Sequence, residues 1–250
     1  MRKRCEILSI SFALFSSFLE ITVAKAAEIK IFTARAGYTV LEAVRPEFER
    51  ATGHKLNVVY DDVIGAYLKR MNAGEPFDVI ISGSAFIDAL LKDGKIPADT
   101  RTNLFHSGIG VEVRAGAPRP DISTVEAFKR ALLNAKSIGY IAPNRVQDLI
   151  ERLGLKDAIQ SKVTVPNSDI VSELVAKGEV ELGIVVITQI VTTQGVEFVG
   201  PLPPDIQYQF QFASGVSANS KAPAAARELL NFLTSPSAIR VIKSQGMEPG

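Results

Sequence analysis

Ile29-Lys30-Ile31-Phe32-Thr33, the amphipathic stretch 38–51 and Leu56-Asn57-Val58-Val59-Tyr60 together decide how this 250-residue chain is read. The outer pieces are apolar runs of strand length. Between them Val40, Leu41, Val44 and Phe48 recur at helical spacing. Gly53 follows where a left-handed residue ends a helix. Strand, helix and strand in this order form the repeating unit of a parallel α/β sheet. Pro46 withholds one backbone donor inside the helix and is expected to kink it.

The alternation continues outward. Segments 79–82, 109–113, 137–141, Leu182–Val186 and 215–217 read as strands. Ala66–Asn72, 85–92, 124–134, 145–153, 169–176 and 222–234 read as helices. The expected fold class is α/β, with mostly parallel sheets flanked by helices. Two passages look like changes of lobe: the Gly-containing stretch 103–110, and the Pro-rich 200–206 with Gly-Pro-Leu-Pro-Pro-Asp. They divide the chain into a discontinuous lobe, 27–105 plus 208–250, and an inserted lobe, 106–207, with a ligand cleft between them. One large domain with loops at those points is the alternative.

Upstream, Arg2, Lys3 and Arg4 precede an apolar stretch, 7–18, and then Ala24-Lys25-Ala26. The apolar run is shorter than the ~20 residues needed to span a bilayer. Residues 1–26 therefore read as a cleaved secretory signal, with a periplasmic protein beginning at Ala27. A buried N-terminal helix is the competing reading. Four of the 28 basic residues (Arg2, Lys3, Arg4, Lys25) and two of the 27 acidic ones (Glu6, Glu20) lie in this segment. The remainder carries 24 basic and 25 acidic residues, a balance that draws it to neither nucleic acid nor an anionic membrane. The one cysteine, Cys5, leaves with the signal, so no disulfide is expected and the fold must be held by its core.

The order Ile31-Phe32-Thr33-Ala34, Phe48-Glu49-x-x-Thr52-Gly53, Phe77-Asp78-Val79-Ile80-Ile81-Ser82, Gly183-Ile184-Val185 and Leu229-x-x-Phe232-Leu233-x-Ser235-Pro236 resembles periplasmic substrate-binding proteins of ABC importers. The resemblance spans nearly all of the chain after residue 26, and its nearest branch is the molybdate-binding type. It implies a two-lobed type II binding-protein fold closing on a small anion for delivery to an ABC permease in the inner membrane. The chain also departs from that branch. Three hydroxyl positions of that branch are replaced: the serine after the first strand corresponds to Ala36, the serine after the second falls at Asp61-Asp62-Val63, and the tyrosine after Gly-Ile-Val corresponds to Val186. A carboxylate at Asp62 would repel a dianion unless paired or protonated. The loop Ala142-Pro143-Asn144 is shorter than the family's, leaving Asn144 to cap the next helix, and a damaged site is one reading of that shortening.

Arg35 and Arg114 each follow a strand, one in each lobe, and offer planar forks suited to carboxylate or phosphate. Arg114 precedes the turn Ala115-Gly116-Ala117-Pro118, where solvation is the alternative role. Tyr38 can donate its phenol from the first helix or pack across the cleft floor. Ser82 and Ser84 flank Gly83 between a strand and a helix, a place suited to anionic oxygen or to simple capping. Tyr140 and Asn144 are candidate contacts from the other lobe. His54 reads as an exposed turn residue. His106, at the crossover, reads either as a hinge residue or as an acid or base.

The motifs of serine hydrolases, zinc proteases and P-loop enzymes are absent from the sequence. The stretch Val111-Glu112-Val113-Arg114-Ala115-Gly116-Ala117-Pro118 resembles that of aconitate-isomerase-like proteins of the same branch. It implies a second role, isomerisation of a tricarboxylate, in which Asp62 or His106 would move the proton. The expectation is a monomer that binds a small anionic solute, oxyanion or organic carboxylate, with no cofactor, no metal and no nucleic-acid partner.

Overall fold

The computed structural model describes residues 26–60, 66–140, 145–166 and 170–250. The opening unit forms as read: β1 (Glu28–Thr33), α1 (Arg35–Thr52) and β2 (Lys55–Val59), with β1 and β2 parallel. After α2 (Ala66–Asn72), β3 (Val79–Gly83) pairs parallel with β1 on its other side and leads into α3 (Ser84–Lys92). Pro46 sits on the exposed face of α1, which continues through it.

β4 (Thr102–Arg114) is far longer than the 109–113 segment expected, because the Gly-containing stretch 103–110 is strand rather than linker. Gly110 is glycine for want of space: a Cβ there would lie 2.7 Å from the Phe198 ring. Beyond β4 come α4 (Val125–Asn134), β5 (Ile138–Tyr140), α5 (Arg145–Arg152), α6 (Lys156–Ile159) and β6 (Val163–Thr164). They are followed by α7 (Val171–Lys177), β7 (Leu182–Val186), α8 (Ile187–Thr192) and β8 (Val196–Pro201). The chain then returns through β9 (Gln209–Val216) and ends with α9 (Pro223–Leu233), α10 (Pro236–Ser244) and β10 (Glu248–Pro249).

The strands run in the order β2-β1-β3-β9-β4-β7-β5-β6, with β8 and β10 also on β4. The first half of β4, Thr102 to Gly108, pairs antiparallel with β9, and its second half, Ile109 to Val113, pairs antiparallel with β7. One strand thus serves two sheets, each with a parallel centre: β2-β1-β3 in the first, β7-β5-β6 in the second. The crossing is pinned by Gln207, whose amide oxygen accepts from the Ile109 and Tyr208 N–H groups while its nitrogen donates to the Ile109 carbonyl, all at 2.9 Å.

Sheets covered on both faces demand near-continuous apolar strands, which is why these runs alternate so little. In β1, Ile29 and Ile31 point into the core under α1, α9 and α10, and Phe32 points into the core under α3. In β7, Leu182 and Ile184 face α4 and α5, whereas Val185 faces α7 and α8. His54 is not in an exposed turn but is 2% exposed. The turn after α1 lays its ring near Phe48; Nδ1 accepts from the Ala27 N–H at 3.1 Å and Nε2 lies 3.1 Å from Glu228.

Buried Asp78 fastens the C-terminal segment to the first sheet. It accepts from the Lys30 N–H through one oxygen, and from the Ser220 hydroxyl and the Lys221 and Ala222 N–H groups through the other. Bonds to a charged acceptor contribute more than neutral ones, and losing the acceptor leaves buried donors unpaired. Asp78→Ala is expected to lower unfolding free energy by about 3–5 kcal/mol, measured as a shift in the urea midpoint.

Candidate functional site

The carboxyl ends of β1, β3 and β7 open into one cavity of about 290 Å³. Ala34, Arg35, Ala36 and Gly83 line it from the first sheet. Val146, Val186, Thr188 and Gln189 line it from the second, with Ile109 at the crossing. Open α/β sheets bind ligands at this end of their strands, and the volume lies near the lower limit for small-molecule sites. A larger hollow of about 380 Å³, between α4 and the 117–121 turn, draws its lining from the second half of the molecule alone.

Two helices begin at the wall. α1 starts after Ala34 and α3 after Gly83; neither has a capping side chain or an acidic residue in its first turn. Their first N–H groups and the positive ends of their dipoles therefore favour an anion, as does Arg35 at the first position of α1. A cation at that end opposes its own helix dipole, so Arg35 is poorly placed for stability alone. Its guanidinium Nη2 lies 2.8 Å from Glu173 Oε1, in the first turn of α7. The remaining wall is apolar, apart from Gln189 and the hydroxyl of Thr188, which is buried without a partner among the described residues.

The cavity brings Arg35, Ala36 and Val186 together and touches Gly83 between Ser82 and Ser84. Ser82 is buried opposite Ala213, and the buried Ser84 hydroxyl has no partner among the described residues. Tyr38 stacks on Tyr60, ring centroids 4.8 Å apart, rather than lining the cavity. Arg114 lies at the exposed far end of β4, with its guanidinium against Gly178. Tyr140 is buried in the core of the second sheet and borders a separate hollow with Gln147 and Glu151; burial, then the charge of Glu151, raises its phenol pKa. His106 sits in β4 between Gln211 of β9 and Glu248 of β10. None of these four lines the cavity. Asp62 and Asn144 lie outside the described residues.

Sequence reasoning missed a carboxylate pair behind Arg35. Glu112 of β4 is fully buried and accepts from the Ser172 hydroxyl at 2.8 Å; its second oxygen, like that of Glu173, has no partner among the described residues. Burial first, then the negative charge of Glu173, raises the Glu112 carboxyl to about 7, against the pull of Ser172 and Arg35. The only sequence signal was a charged residue inside an apolar strand, Val111-Glu112-Val113. Among the described residues no cluster of His, Cys, Asp and Glu could hold a metal, and no helix is long and apolar enough to cross a membrane.

Two sheets joined by a shared strand, with a cleft at their strand ends, define a two-lobed α/β binding protein. Residues 29–248 match the model of the bacterial extracellular solute-binding proteins, and the chain belongs to that family. Aconitate isomerase of a Pseudomonas species is 32% identical over 219 residues, covering 84% of this chain and 83% of that protein. The molybdate-binding protein ModA of Azotobacter vinelandii is 27% identical over 237 residues, covering 89% and 90%. The solved structure of the periplasmic molybdate-binding protein of Azotobacter vinelandii superposes with a TM-score of 0.73 at 20% identity, covering 88% of this chain and 98% of that one, a likeness of fold.

The raised pKa makes Glu112 a stability liability with a defined sign. Below about pH 4 the group is protonated in folded and unfolded chains alike, and nothing is lost. As pH rises towards 7 the unfolded chain ionises while the folded one resists, so folding loses up to ~3 kcal/mol, and the loss stays constant above 7. Glu112→Gln is expected to leave the melting temperature unchanged near pH 4 and to raise it by several degrees at pH 8, as read by calorimetry.

Proposed function

We propose that this chain is a periplasmic solute-binding protein that closes on a small organic carboxylate and presents it to an ABC permease of the inner membrane. The observation that carries this reading is the meeting of Arg35 with the uncapped N-termini of α1 and α3 at one apolar cavity. A carboxylate there meets a guanidinium and the N-termini of two helices at once. The hydroxyl positions implied by the molybdate branch are Ala36 and Val186 in the cavity wall, which favours a carboxylate over an oxyanion. The lobes are 27–105 plus 208–250 and 106–207, and closure bends the molecule at the Gln207-pinned crossing of β4. The mature protein starts at Ala27, is monomeric and needs no cofactor.

A second reading, isomerisation of an aconitate-like tricarboxylate in the same cavity, is favoured by the 32% identity to an aconitate isomerase. A proton shift across an allylic system needs one positioned acid–base group beside the bound anion. Asp62 and His106 are the sequence's candidates for it, and of these His106 does not line the cavity.

A thermal-shift series on residues 27–250 with molybdate, sulfate, phosphate, citrate, cis-aconitate and trans-aconitate tests both. Ligand at a hundred times its dissociation constant stabilises by about 2.7 kcal/mol, so a tricarboxylate is expected to raise the midpoint by several degrees and molybdate to leave it unchanged. The reverse result overturns the carboxylate assignment. Arg35→Gln is expected to weaken binding by about tenfold to a hundredfold, the equivalent of one charge-assisted bond. Proton NMR of bound cis-aconitate separates the readings: conversion to the trans isomer, lost in Asp62→Asn or His106→Ala, makes the protein an isomerase, and unchanged substrate makes it a carrier.

A further inference from the structure

The arginine of the cleft is already paired with an anion. Glu173 Oε1 sits 2.8 Å from Arg35 Nη2, and the two residues are 138 positions apart in sequence, on helices packed against different sheets. Glu173 is the residue after Ser172, whose hydroxyl holds Glu112. The Glu173 charge acts on Glu112, and each of the two carboxylates has a buried oxygen that finds no partner among the described residues. The cation acting on both is Arg35. The other elements packed on Glu112 add no charge: β7 sets Gly183 opposite it, where a Cβ would lie 2.5 Å from Oε1, and β8 sets Phe198.

We infer that Glu173 is a built-in competitor for the anion site, and that a bound anion displaces it from Arg35 and leaves it beside Glu112 to share a proton taken from solution. This rests on the reading of the cavity as an anion site. Two neighbouring carboxylates stripped of their cation resist joint ionisation, as in any closely spaced acidic pair. The empty protein at pH 8 holds Glu112 ionised, because it titrates near 7, and Glu173 in its ion pair with Arg35. The anion-bound protein at the same pH holds one proton between them. Anion binding is therefore coupled to proton uptake above pH 7, and the coupling fades below it, where Glu112 is already protonated. Glu173 also sets specificity: a ligand must outbid a carboxylate that is already tethered, which a singly charged group does poorly and a polycarboxylate does well.

The test is titration calorimetry with cis-aconitate, fully ionised at pH 8, in HEPES and in Tris. The difference between the two apparent enthalpies is expected to report uptake approaching one proton. Glu173→Gln is expected to bind about three- to tenfold more tightly and to lose the uptake; Glu112→Gln is expected to bind and to lose the uptake as well. Binding without proton exchange, with Glu173→Gln no tighter than the parent, overturns the inference while leaving the anion site intact. A second measurement needs no ligand: carbon-13 titration of the glutamate carboxyls in the parent and in Arg35→Gln, a substitution that mimics displacement. The pair's apparent pKa is expected to rise by a unit or more, and unchanged titration overturns the coupling. Absence of cis-aconitate binding, combined with that rise, overturns the carboxylate reading of the cavity and not the coupling.

Discussion

One strand holds two sheets together, and the rest of the molecule is arranged around that fact. β4 gives its first half to β9 and its second half to β7 and β8, so neither sheet can be laid down without the other's backbone in register. The Gln207 side chain bonds both backbone groups of Ile109 at the crossing, which makes Ile109 a fixed pivot. With that point fixed, the carboxyl ends of β1, β3 and β7 must face each other, and the residues just past them become the walls of a common cavity. The position of the site follows from strand topology, and its chemistry from which helices begin there.

That chemistry is built from placements that a purely stable protein would avoid. Arg35 occupies the end of a helix that repels cations, and Glu112 is an acid fully buried in β4 opposite Gly183 and Phe198. Each is tolerated through a neighbour, Glu173 for the arginine and Ser172 for the acid. The same two residues of α7 therefore steady both strained groups, and any movement of α7 relative to α1 disturbs both together. Coupling between the lobes is chemical as well as mechanical.

Much of the fold was legible in the sequence because its strands are buried on both faces and carry unbroken apolar runs; Leu182–Val186 and Ala66–Asn72 have the bounds their residues imply. What was missed has physical causes. Gly108 and Gly110 made half of β4 look like linker, although glycine is needed there for close packing. β8 was missed entirely, its last residues Gly200 and Pro201 having been read as a change of lobe, although its outer edge tolerates proline. α8 is Ile-Thr-Gln-Ile-Val-Thr, a β-branched segment held helical by packing rather than by propensity. α10 did carry a signal, the Ser235 cap before Pro236, which accepts from the Ala238 N–H. Arg35 was singled out because it follows a strand, Ala36 and Val186 through the family resemblance, and the structure sets all three in the wall of one cavity. Arg114 follows a strand too, but at the end of β4 remote from the cavity, and strand polarity in a mixed sheet is not written in a single segment. The pairing of Glu112 with Ser172 and Glu173 joins residues sixty positions apart and was beyond any local pattern.

The place of β9 has a consequence for how the molecule comes into being. It lies between β3 and β4, with antiparallel partners on both sides, yet it is made more than ninety residues after the strands it separates. Until it arrives, the first sheet has a gap that no earlier segment fills, and the Asp78 acceptor has none of its C-terminal donors. Such long-range pairing closes slowly, because loop entropy must be overcome before the contacts form. A chain that emerges in order from its N-terminus can complete its first sheet only when nearly all of it is present, whereas the strands of the second sheet are all made by residue 201.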